Sequence, residues 1–147
     1  MKHIFSAFTL LAFLTMGHAI AGSGKAIVTH WSSNNSADHK HGLHISNISC
    51  NDVEVTITVY DETGSKVTSG ISYTNFANSN TEIQANKTGI VTIDTSTWHY
   101  GYALIEWQNK GTDEDAVALV AYAHHIQKDG AVVEGYYGAP VNCGNPF

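Results

Sequence analysis

The densest run of metal-ligating side chains is "DHKHGLH", which places Asp38, His39, His41 and His44 within seven positions. Neutral imidazole is a borderline ligand that suits Zn²⁺ or Cu²⁺. In an extended segment His39 and His41 point to the same side and could share one ion, with His44 or Asp38 reaching it if Gly42 bends the chain. His30, His99, His124 and His125 could complete such a site. The competing reading is a solvated loop, because "SSNNSADHKHG" is rich in residues that favour turns. Zn or Cu is therefore a candidate cofactor at His39, His41 and His44, and the expectation is that none is bound.

Aromatic rings are the second candidate. Trp98, Tyr100 and Tyr102 share a parity in "TWHYGY" and could stack on a sugar, with Trp31, Trp107, Tyr136 and Tyr137 adding to the surface or filling the core. Glu106 sits among apolar neighbours in "LIEW", where burial would raise its pKa, but no second carboxylate stands ready to pair with it. "DED" at 113–115 is an acidic run without the spacing of a calcium loop. G-x-S-x-G, P-loop and G-x-G-x-x-G patterns are absent from the sequence. The residues thus favour a non-catalytic protein.

The elements that must position these side chains read as β-strands. In "VEVTITVY" Val53, Val55, Ile57 and Val59 face one way and the polar residues the other. "DETG" turns the chain, and "SKVTSG" is expected to return as a partner strand. "KAIVTHW", "LHISNIS", "SGISYTNF", "TGIVTID" and "GYALIEW" are further short runs divided by Gly, Asn, Asp and Ser. The segment 115–127 is apolar at both strand parities and alanine-rich, so helix and strand compete. The β-branched and aromatic "AVVEGYYG" after "KDG" favours a hairpin and hence a strand. The expectation is an all-β fold, a single immunoglobulin-like antiparallel β-sandwich of about seven strands.

Lys2, the apolar stretch Ile4 to Met16 and the Ala19-Ile20-Ala21 site predict a secretory signal over residues 1–21, followed by one domain over 22–147. The apolar stretch is shorter than the roughly 20 residues needed to span a bilayer, so no membrane span is expected in the mature chain. Losing Lys2 leaves six lysines against thirteen acids, and there is no arginine. That charge balance argues against nucleic acid as a partner. In an exported chain Cys50 and Cys143 are expected to form a disulfide, restricting the unfolded state by about 4–5 kcal/mol.

The order "LHISNIS", "VEVTITVYDETGSKV", the I-x-A-x-x-T stretch at Ile83 to Thr88, and "GYALIEW" resembles small exported bacterial β-sandwich proteins of unknown function, over Leu43 to Ala123. The resemblance implies the sandwich and an exported location, and it carries no catalytic residues. The functional expectation is a periplasmic or secreted module that binds a protein or polysaccharide of the cell envelope. Two alternatives stand beside it: a periplasmic metal-binding protein, and a surface-fibre subunit that donates "KAIVTHW" as a strand to its neighbour.

Overall fold

A computed structural model describes residues 22–147; the predicted signal segment 1–21 lies outside the described residues. The chain is nearly all β, with nine strands rather than about seven, and no α-helix among the described residues. The strands are β1 Ser23–Ser33, β2 His39–Asn47, β3 Val53–Asp61, β4 Ile71–Thr74, β5 Glu82–Ile83, β6 Thr88–Ile93, β7 His99–Asn109, β8 Leu119–Asp129 and β9 Val132–Pro140. They form two antiparallel sheets, ordered β1-β7-β3-β5 and β4-β6-β2-β8-β9, packed face to face as a β-sandwich.

The core follows from strand alternation. Val53, Val55 and Val59 of β3 meet Ala103, Ile105 and Trp107 of β7 on the inner face of one sheet, and Leu43, Ile45, Val91, Ile93 and Leu119 line the other. Each fully buried aliphatic side chain contributes about 1.5–3 kcal/mol relative to exposure. Trp31 is fully buried, and its indole N–H donates to the carbonyls of Tyr60 at 2.9 Å and Tyr102 at 3.2 Å. Gly101 permits this close packing, since a Cβ there would lie 1.9 Å from the Tyr60 carbonyl oxygen.

The ambiguous segment 115–127 supplies β8, a strand paired on both sides, by β2 and by β9. Gly130, at φ 55°, makes the β8–β9 turn. Two local expectations fail. "SKVTSG" forms no strand: Asp61 Oδ1 instead accepts from the backbone N–H groups of Thr63 and Ser65, and only an isolated bridge joins Tyr60 to Lys66. "DHKHGLH" is not a loop, because the polar connection shrinks to the 3₁₀ turn Asn35–Ala37 and His39 begins β2.

The expected disulfide is not formed. Cys50 and Cys143 are both free and exposed. Cys50 lies in the connection between the interior strands β2 and β3, whereas Cys143 lies in the 3₁₀ turn Val141–Gly144, which packs on β1 and β8 at the lateral edge. The segment considered as a donor strand is β1, the edge strand of its own sheet, hydrogen-bonded to β7. No helix among the described residues is long and apolar enough to cross a membrane.

Candidate binding surfaces

β2 and β8 carry most of the histidines, and their register decides what each ring can do. His41 stands opposite His125, Gly42 opposite His124 and His44 opposite Tyr122. Alternation turns His39, His41 and His125 toward the interior, with ring centroids 5.3 Å apart for His39–His125 and 6.3 Å for His41–His125. His44 faces outward, 4.8 Å from His124. The sequence-based set of His39, His41 and His44 is therefore divided between two faces of one sheet. Among the described residues no three His, Cys, Asp or Glu side chains converge to hold a metal ion.

Burial disfavours the charged form of His41 and His125. His41 is 2 % exposed, and neither ring nitrogen has a hydrogen-bond partner. Burial, reinforced by His125, His124 and His30, pulls its pKa down to about 3. Burial and then His39 lower the pKa of His125, whose Nδ1 lies 3.4 Å from Ser32 Oγ. His124 is lowered by burial and then by His44.

Outside, the same sheet presents rings laid against glycine. A Cβ on Gly42 would sit 2.2 Å from His124 Cε1, and one on Gly138 would sit 2.1 Å from the Tyr122 hydroxyl and 2.4 Å from its Cζ. Both rings therefore lie on the bare backbone of a neighbouring strand, where a side chain would have lifted them away. Tyr136 stacks on His124 at 5.7 Å and 25°, and both Tyr122 and Tyr136 are exposed. The Lys40–Asp94 ion pair, at 2.7 Å, contributes charged groups from β2 and the residue after β6.

The predicted row of Trp98, Tyr100 and Tyr102 is exposed. Tyr102 stacks on Tyr60 across β3 and β7, at 4.9 Å and 15°, so each ring covers a face of the other. Trp98 precedes β7 and meets His39 edge-on at 5.4 Å. That contact starts a run of rings that continues through His125 to Tyr137, the last pair stacked at 5.0 Å and 20°. Glu106 is a surface residue paired with Lys25 at 3.1 Å, not a buried acid. Asp115 of the acidic run accepts a hydrogen bond from Asn51.

Sequence reasoning did not single out Tyr122 and treated Tyr136 only as an accessory ring. The signal is present in Gly42 and Gly138, but a glycine under a ring is recognisable only once the register across β2, β8 and β9 is known. No protein-family model matches the chain, and no curated protein or solved structure is significantly similar to it.

Proposed function

We propose that the chain is an exported, non-catalytic binding module of the cell envelope that holds a glycan on the outer face of the β4-β6-β2-β8-β9 sheet. The observation that carries this reading is the close placement of Tyr122 and His124 over Gly138 and Gly42, beside the exposed ring of Tyr136. The negative face of an aromatic ring attracts the C–H edge of a pyranose, and such a surface accepts a sugar without rearranging. Lys40 and His44 of β2 lie on this face and can meet hydroxyl groups. The signal-like pattern of residues 1–21 and the acidic, arginine-free composition support export and argue against nucleic acid as the ligand.

Affinity electrophoresis through gels containing neutral polysaccharides tests the proposal. Retardation by at least one polysaccharide is expected, with Tyr122→Ala and Tyr136→Ala each weakening binding by about tenfold, as loss of a stacked ring does. Tyr102→Ala should leave it intact, because Tyr102 lies on β7 of the other sheet. Absence of retardation across the panel, or an equal loss in Tyr102→Ala, rules the reading out.

A further inference from the structure

The two edge strands β1 and β9 lie on the same side of the sandwich without pairing to each other. Between them runs a cleft of about 580 Å³, walled by Ala26 and Val28 of β1, Ala139 of β9 and Val141 of the turn that follows it. That volume falls within the range of small-molecule sites, roughly 300–1,000 Å³. His41, from the central strand β2, lines the cleft from its buried side, and the half-exposed ring of Tyr137 and the exposed His30 lie toward its mouth.

We propose that this cleft binds an uncharged, largely apolar small molecule that carries a hydroxyl group, with the His41 ring as its hydrogen-bonding anchor. Leaving a buried polar atom without a partner is costly, and His41 has two such atoms, one on each ring nitrogen. A neutral imidazole offers one donor and one acceptor. A hydroxyl, which is both, can satisfy either nitrogen, while the alanine and valine walls accept the apolar remainder.

The charges around the ring decide against an ion. The titratable groups acting on His41 are His30, His124 and His125, and burial keeps His41 itself neutral at physiological pH, so it offers no cation to a carboxylate or phosphate. Lys25 and Cys143 also line the cleft, and Lys25 is paired with Glu106. The site is separate from the outer glycan face, because His41 and Tyr122 project from opposite sides of the sheet.

The test uses the full chain, with 2-naphthol as probe and 2-naphthoate as its charged counterpart. The readouts are probe fluorescence and the ¹⁵N resonances of the histidine rings. Saturable binding of 2-naphthol with a shift at His41 is expected, with 2-naphthoate weaker by about tenfold. His41→Leu should weaken the naphthol by about tenfold while keeping the fold, since leucine fills the buried site without a polar atom. Ala139→Phe gives an independent check: the residue is exposed, so the fold survives, and the added ring occupies the cleft and blocks the probe.

Failure of 2-naphthol to saturate at millimolar concentration overturns the proposal. So does unchanged affinity in both variants, a shift confined to His44 and His124, or stoichiometric capture of Zn²⁺ by His41 in preference to the alcohol. Polysaccharide binding is unaffected by either variant, so failure of the cleft site and failure of the glycan face are read separately.

Discussion

His41 and His125 on the inner side of the β2–β8 pair, and His44 and His124 on its outer side, come from the same few residues of sequence and face different solvents. The inner pair is buried, at 2 % and 6 % exposure, while the outer pair is half-buried and supports an exposed tyrosine. His124 and His125 are adjacent in sequence and fall on opposite faces of the sheet. The difference teaches that histidine density did not specify a site; strand parity and the central position of β2 did. On an edge strand or in a loop the same seven residues would all have met water.

The largest effect expected from this contrast is an acid-sensitive core. His41 has a folded pKa of about 3 against an unfolded value near 6.5, so between those limits the unfolded chain binds a proton that the folded chain does not. Stability is then complete above pH 6.5 and falls with acidification by about 1.4 kcal/mol per pH unit from this residue alone. The lowered pKa of His125 adds in the same direction. Urea denaturation at about pH 4 and about pH 7 should show the loss in the wild type, and the His41→Leu variant should show a shallower slope. Identical slopes in the two proteins would break the distinction between inner and outer rings.

A smaller effect is expected outside. In Gly42→Ala the new Cβ would meet the His124 ring at 2.2 Å, so the ring must swing off the sheet. The expected cost is about 1–3 kcal/mol, as for other cases of overpacking, with loss of polysaccharide retention because Tyr136 loses its stacking partner. Unchanged stability and retention would show that the glycine floor is incidental.

The sequence reading reached the sandwich because its strands alternate cleanly. Val53, Val55 and Val59 are inside as their period requires, and the β8–β9 hairpin was visible in "KDG" followed by β-branched and aromatic residues. It could not reach the pairing of β2 with both β6 and β8, because register across strands distant in sequence is set by packing of the whole core. Without that register "DHKHGLH" looks like a loop and Gly42 like a bend. Asn47 shows the same limit: in sequence it opens an N-x-S sequon, yet it is buried and its amide is engaged with Asn51, Ile83 and Ser49. Cys50 and Cys143 satisfied the parity rule for a disulfide, but their positions in the fold do not join them.

The smallest expected effect is the sharpest test of how separate the two faces are. His44 is half-buried, its ring packs 4.8 Å from His124, and its charge is one of the causes, after burial, that lower the His124 pKa. Replacing it with glutamine keeps a polar side chain of similar reach and removes the like charge, so the His124 titration midpoint should rise. Stability should change by less than about 0.5 kcal/mol, because no core contact is lost. His41 is acted on by His125, His124 and His30 but not by His44, so its own midpoint should stay where it is. Following the imidazole C–H resonances of the His44→Gln variant against pH checks both halves at once. A rise at His124 with His41 unmoved means that the influence of His44 stops at the outer ring; a shift at His41 means that it reaches the inner ring as well.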